Sequence, residues 1–217
     1  MKIYIIRHGE TFFNERGLLQ GWTDNDLNGV GTALAEETGK ALKGVRFDAV
    51  FSSPLIRARH TAELVLRESG NTCPIIPDDR IKEISIGGYE GKPYAKGTDS
   101  LTDAYFADPF TAPAFPGGEH VNDVIKRTQD FLKELAQKDY KTVLVSTHGC
   151  AMRCMLNFLY SDPSDFWHGR VPPNCAVNIV EANGGVIRLA EEDVIYYDPS
   201  KCVDRYSVSA AKYLTTE

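Results

Sequence analysis

The 217-residue chain is short of several things, and each shortage removes a class of protein. Basic residues are not in excess: 24 Lys and Arg against 30 Asp and Glu give a formal net charge of −6. A broad nucleic-acid or anionic-membrane surface needs a basic patch, so neither partner is expected. There is no apolar run of the roughly 18 residues that a membrane helix requires. The opening, Met1 to Arg7, turns polar too soon for a signal peptide, so none is expected. The five cysteines, Cys73, Cys150, Cys154, Cys175 and Cys202, include no Cys-x-x-Cys pair. Scattered in this way they read as buried reduced thiols, and a cytoplasmic location is the expectation. Carboxylates at metal-ligand spacing are also missing, so no metal is expected.

What is present is an ordinary globular composition, and a single domain over residues 1–217 is the simplest expectation. Lys2 to Ile6 reads as a buried strand running into the polar Arg7-His8-Gly9. Asn28 can cap a helix to about Leu42, with Gly44 as its stop. Asp48 to Ser52 reads as a strand, and Ser53-Pro54 as an N-cap and first turn of a helix ending near Ser69. Cys73 to Ile76 is a third strand. Residues 84–118 are rich in Gly and Pro, with a helix only at about 100–107, and read as an inserted, cap-like segment. Val121, Val124, Ile125, Thr128, Phe131, Leu132 and Leu135 mark an amphipathic helix. A strand at Thr142 to Val145 leads through Ser146-Thr147-His148-Gly149 into a helix from Cys150 to about Tyr160. Asn174 to Ala182 and Val186 to Ala190 read as a hairpin. The tail from Asp198 has no strong period. Alternating strands and helices predict a three-layer α/β/α sandwich, with a mostly parallel mixed sheet and the hairpin at one edge.

Three strand-to-helix junctions carry the polar chemistry. They deliver Arg7 and His8, then Ser52, Ser53 and Arg57, then His148 and Gly149. In open α/β sheets ligands bind at the carboxyl ends of the strands, so the three junctions can face one crevice. Arginine forks and helix N-termini suit phosphate oxygens. A neutral imidazole can attack phosphorus. Arg7, Arg57 and a protonated His148 would then neutralise the transferring group without a metal. The acid for the leaving oxygen is Glu83, with Glu10 and Glu90 as competitors. Arg59 and His60 read as helix surface, and His120 and His168 as structural.

Arg7-His8-Gly9-Glu10-Thr11 resembles the signature of the histidine phosphatase superfamily, the phosphoglycerate mutase-like proteins. The resemblance continues through Asn14, Gln20-Gly21, Ser52 to Ala62, Glu83 to Gly91, Pro116-Gly117-Gly118-Glu119 and Ser146 to Gly149, in the family's order. It implies an α/β/α sandwich without metal or organic cofactor. It makes His8 the nucleophile, His148 the second histidine, Arg7 and Arg57 the phosphate holders and Glu83 the acid and later the base. Asn14, Gln20, Gly21 and Gly149 fall with the substrate-binding positions. Three residues depart from the family pattern: Tyr89 for tryptophan, Asn28 for a capping threonine and His120 for serine.

The expected activity is hydrolysis of a small phosphorylated substrate. A mutase would return the phosphoryl group to a second hydroxyl and needs extra cations over its pocket. Between Ile84 and Glu119 there is no arginine, only Lys92 and Lys96, while Tyr89, Tyr94, Tyr105, Phe106, Phe110 and Phe115 crowd the same stretch. This favours a phosphatase for esters with apolar or neutral leaving groups over cofactor-dependent mutase transfer, and over a non-catalytic phosphate binder that would not need His8 and Glu83. A homodimer is left open.

Overall fold

The structure, a computed structural model, describes residues 1–201. Cys202 and the rest of the tail lie outside the described residues. The strands are β1 (Lys2–Arg7), β2 (Ala49–Ser52), β3 (Ile75–Pro77), β4 (Thr142–Thr147), β5 (Val177–Asn183) and β6 (Val186–Val194). The helices are α1 (Phe12–Glu15), α2 (Gly29–Ala41), α3 (Ile56–Ser69), α4 (Ser100–Ala107), α5 (Val121–Leu135) and α6 (Gly149–Leu156). One sheet runs in the order β3-β2-β4-β1-β5-β6. β1, β2, β3 and β4 are mutually parallel, and β5 and β6 add the antiparallel edge.

Strand side chains alternate between faces, and here both faces are covered. Ile3, Ile5, Val143 and Val145 pack against Phe131 and Leu132 of α5 and Met152 and Met155 of α6. Tyr4, Ile6, Val50 and Leu144 pack against Leu34 and Ala35 of α2 and Ala62 and Val65 of α3. A strand buried on both sides must be apolar throughout, which is why β1 and β4 read as apolar runs. The segment expected as a cap builds a third cluster. Ile84, Ile86, Tyr105, Phe106 and Phe115 pack with Leu19 and Trp167 over the start of α6. No helix among the described residues is long and apolar enough to cross a membrane.

Several element ends differ from expectation, among them β4, which runs on to Thr147, and β5, which spans Val177–Asn183, and α1 was not foreseen. α3 starts at Ile56, with Leu55 rather than Ser53 at its N-cap. The Ser53 hydroxyl is committed to His148 instead, at 2.8 Å, and the Ile56 N–H is capped from a distance by Asp24 Oδ1 at 2.6 Å. β3 sits at Ile75–Pro77 because its register is set by parallel pairing with Val50, Phe51 and Ser52. α6 stops at Leu156 and continues as a 3₁₀ turn over Asn157–Leu159. β6 runs past Ala190 to Val194, where Glu192 and Asp193 bind the fully buried Arg153 of α6 at 2.7 and 2.8 Å. That ion cluster turns a polar stretch into strand.

Candidate active site

The sheet register assembles the site. Arg7 pairs with Thr147 and Ser52 with Ser146, so β1, β2 and β4 end side by side. The residues just past those ends become neighbours, and the His8 and His148 rings lie 5.2 Å apart, tilted by 57°.

His8 is buried, and its Nδ1 lies 2.7 Å from the Gly9 carbonyl. A carbonyl only accepts, so Nδ1 carries the proton and Nε2 keeps its lone pair. Burial, then the charges of Arg57 and Arg7, hold its pKa well below the ordinary histidine value. The ring is therefore neutral, the state a nucleophile needs.

His148 departs from the protonated form expected from the sequence. It is fully buried, and burial followed by Arg57 and His8 pushes its pKa well down. Ser53 Oγ accepts the Leu55 N–H at 3.3 Å and lies 2.8 Å from His148 Nε2, where the hydroxyl can either donate or accept. Its other ring nitrogen, Nδ1 of His148, is buried and makes no hydrogen bond among the described residues.

Arg57 projects from the first turn of α3 and is wholly buried. Its two Nη groups are held by the Thr23 and Gly21 carbonyls at 2.8 and 2.7 Å. Burial lowers its pKa to about 10, so it stays cationic at neutral pH. Arg7 Nη1 donates to the Pro172 carbonyl. Arg7 and Arg57 each keep a buried, unpaired Nε. Gly149 makes room for the first of these: a Cβ there would stand 3.3 Å from Arg7 Nε and 3.0 Å from Val171 Cγ1. Two buried guanidinium donors, Arg7 Nε and Arg57 Nε, thus lack partners among the described residues, as does the His148 Nδ1 atom. This is an arrangement able to take up a tetrahedral oxyanion.

Glu83 is the buried carboxyl of the site. Its Oε1 accepts the Ile84 and Ala151 N–H groups, both at 2.9 Å, and its Oε2 accepts the Cys150 N–H at 3.2 Å. Burial raises its pKa, opposed by these amides and by Arg57. Both competing acids are occupied elsewhere. Glu10 accepts from Asn28 at 2.8 Å, and Glu90 binds the Gly21, Trp22 and Thr23 backbone N–H groups and the Thr23 hydroxyl.

Arg7, His8 and Glu83 open onto a cavity of about 70 Å³, while Arg57 and His148 do not line it and stay buried behind its wall. Arg7, His8, Asn14, Gln20, Glu83 and Gly149 line it. Asn14 Oδ1 closes the capping box of α1 at Thr11, and Gln20 Oε1 accepts from Thr11 and Asn25. Gly21 stands behind the wall instead, its carbonyl steering Arg57. Leu19, Ile84, Ile86, Tyr105, Phe106 and Phe115 form the apolar side, joined by Trp167 and Val171, which sequence reasoning missed. Their segment carries no motif, and the adjacent Phe166-Trp167 pair was the one available signal. The four remaining histidine and arginine expectations hold: Arg59 pairs with Glu63 at the surface, His60 with Asp26, His120 caps α5, and His168 packs on Tyr160.

The model of the histidine phosphatase superfamily (branch 1) matches residues 3–193. The chain belongs to that superfamily. It is 31% identical over 176 residues to a 2,3-bisphosphoglycerate-dependent phosphoglycerate mutase of Cytophaga hutchinsonii, covering 76% of this chain and 81% of that one. It is 34% identical over 163 residues to a metal-independent phosphoserine phosphatase of Arabidopsis thaliana, covering 71% of this chain and 66% of that one. Among solved structures, Bacillus stearothermophilus YhfR superposes with a TM-score of 0.81 at 32% identity, covering 90% of this chain and 98% of that one. Superfamily relatives thus include both phosphatases and mutases.

Proposed function

We propose that this chain is a metal-independent phosphomonoester hydrolase that works through a phosphohistidine on His8. The observation that carries the reading is the state of His8: neutral, its Nδ1–H donated to the Gly9 carbonyl so that Nε2 keeps its lone pair, in a site where the buried Nε groups of Arg7 and Arg57 are unpaired. In the first step Nε2 attacks phosphorus, the ester P–O bond breaks, and Glu83 gives its proton to the leaving oxygen. In the second step the Glu83 carboxylate takes a proton from water, the water oxygen attacks phosphorus, and the N–P bond breaks to release phosphate. Arg7 on the cavity wall and the buried cation of Arg57 behind it offset the charge on the phosphoryl oxygens throughout, so the positive charge comes from side chains.

The leaving-group side supports hydrolysis over mutase transfer. Among the described residues Arg7 is the only arginine or lysine on the cavity wall, and the rest of that wall is mainly apolar and aromatic. A sugar-acid phosphate would bury its carboxylate there without a second cation, at a cost. Small esters with apolar or neutral alcohols fit. The mutase reading draws on the relative of that name. The test compares hydrolysis of aryl and alkyl phosphates with phosphoryl transfer from 2,3-bisphosphoglycerate to 3-phosphoglycerate, each with and without EDTA. Hydrolysis unaffected by EDTA and transfer near background support the proposal. Dominant transfer, or activity lost to EDTA and restored by magnesium, overturns it.

A further inference from the structure

We propose that Arg127 and Glu119 form a clamp that positions Glu83 for proton transfer; this rests on Glu83 being the proton carrier. Arginine has five N–H donors, and Arg127 of α5 uses all of them. Its Nε donates to Glu119 Oε1 at 3.0 Å, and its Nη2 donates to Glu119 Oε2 at 3.0 Å and to the Glu83 carbonyl at 2.9 Å. Its Nη1 donates to the Lys82 carbonyl at 2.6 Å and the Arg80 carbonyl at 2.8 Å. Glu119 completes the grip from the other side. Its Oε2 accepts the Ser85 N–H at 2.8 Å, and its own N–H donates to the Ser85 carbonyl at 2.8 Å.

One bidentate ion pair therefore fixes the backbone on both sides of Glu83, at Arg80 and Lys82 before it and at Ser85 after it. The two side chains are only 17% and 22% exposed, so water competes weakly and the pair is unlike a surface salt bridge of negligible worth. The glycine turn ahead of Glu119 is built for the same purpose. A Cβ on Gly118 would meet the Ser85 carbonyl oxygen at 2.4 Å, so the turn lies flush on the segment that follows Glu83. The Glu83 carboxyl is anchored separately, on the Cys150 and Ala151 amides at the start of α6. The side chain thus spans two supports. The clamp sets the backbone end, and with it how the carboxyl stands against the leaving oxygen.

A general acid must come within about 2.6–3.2 Å of the atom it protonates. Arg127→Lys keeps the charge but replaces the planar fork with a point ammonium of three donors, so it cannot reproduce five directed bonds. The experiment measures the rate of phosphoenzyme formation by rapid quench, with an alkyl phosphate and with nitrophenyl phosphate. Nitrophenolate leaves with little help from an acid, whereas an alkoxide does not. Arg127→Lys is expected to slow the alkyl ester on the order of 10²-fold, the scale of a 1 Å misplacement. The nitrophenyl rate is expected to change by less than about threefold, because protonation contributes little to it. Glu119→Gln, which breaks the bidentate pair from the other side, is expected to show the same split and decides the matter if Arg127→Lys does not fold. A folded variant that slows both esters equally, or neither, overturns the clamp, since loss of general packing has no reason to sort substrates by leaving group. Glu83→Gln, run in parallel, separates the two ways of failing. If it shows the split and the clamp variants do not, the clamp alone is wrong; if it shows no split, the assignment of Glu83 is wrong and the clamp falls with it.

Discussion

Glu83→Gln keeps the side chain's size and removes its exchangeable proton, and the structure sets a magnitude for both stability and rate. The carboxyl accepts three N–H groups, from Ile84, Ala151 and Cys150. A glutamine oxygen can keep the two that point at Oε1. Its NH2 then faces the Cys150 N–H, donor against donor. Leaving one buried donor unsatisfied costs about 1–3 kcal/mol. For a chain of this length that lowers Tm by roughly 2–12 °C. The folded variant retains Arg7, Arg57 and His148, so vanadate affinity should be nearly unchanged. General acid catalysis contributes about 10²–10⁴-fold, and phosphorylation by an alkyl phosphate should slow on that order. Phosphorylation by nitrophenyl phosphate should be far less impaired. Dephosphorylation, which needs Glu83 as base, then becomes limiting, and stopped-flow traces should show a burst of nitrophenol with one equivalent of phosphoenzyme. Equal slowing of both esters with no burst would refute the reasoning and move the proton to another group.

Three further outcomes follow from the same geometry. Arg153→Met should leave the nearly buried Asp193 without its closest cation, with only Arg170 at 3.9 Å and Asn178 at 3.2 Å remaining; breaking such a pair costs up to about 3–5 kcal/mol, and urea unfolding with a loss under 1 kcal/mol would contradict it. Gly31→Ala places a Cβ 2.1 Å from the Glu10 carbonyl oxygen and 2.4 Å from the Glu10 nitrogen, both backbone. It should cost about 1–3 kcal/mol by overpacking and lower kcat by shifting the loop that follows His8; an unchanged Tm and kcat would count against that close approach. The folded pKa values of His8 and His148 lie below the unfolded value of about 6.5. Below that pH the unfolded chain binds more protons than the folded one, so their contribution is complete above about 6.5 and is lost as pH falls through the depressed values. Urea titrations should show stability falling on that side, with a shallower slope in a His8→Asn, His148→Asn double variant; an identical slope would be the contrary result.

Much of this was legible in the sequence because the sheet is driven by local pattern. The apolar runs of β1 and β4, the Asn28 cap and the amphipathic stripe of α5 each report their environment without help from distant residues. Arg7, His8, Arg57, Glu83 and His148 were legible through ordered motifs, and the parallel register brings them together. What stayed hidden depended on contacts between remote segments. Ser53 looked like a helix cap, but its hydroxyl is taken by His148, ninety-five positions away. His148 looked like a cation, but its wholly buried position and the nearby arginines favour the neutral ring. Gly21 looked like a ligand contact, but its carbonyl acts through Arg57. Arg153 sits among apolar neighbours on α6 with nothing local to show that Glu192 and Asp193 will reach it. Arg127 reads as the polar face of an amphipathic helix, since three of its acceptors are backbone carbonyls, which leave no trace in side-chain identity.

The central claim is that phosphorus passes through His8. The most direct measurement is to mix enzyme briefly with labelled phosphomonoester, quench in alkali, and locate the label by peptide mapping. The account expects a phosphoryl group on the His8 peptide, stable to base, labile to acid and absent from His8→Ala. A hydroxylamine-sensitive acyl phosphate on a carboxylate, or turnover by His8→Ala at the wild-type rate, would contradict it.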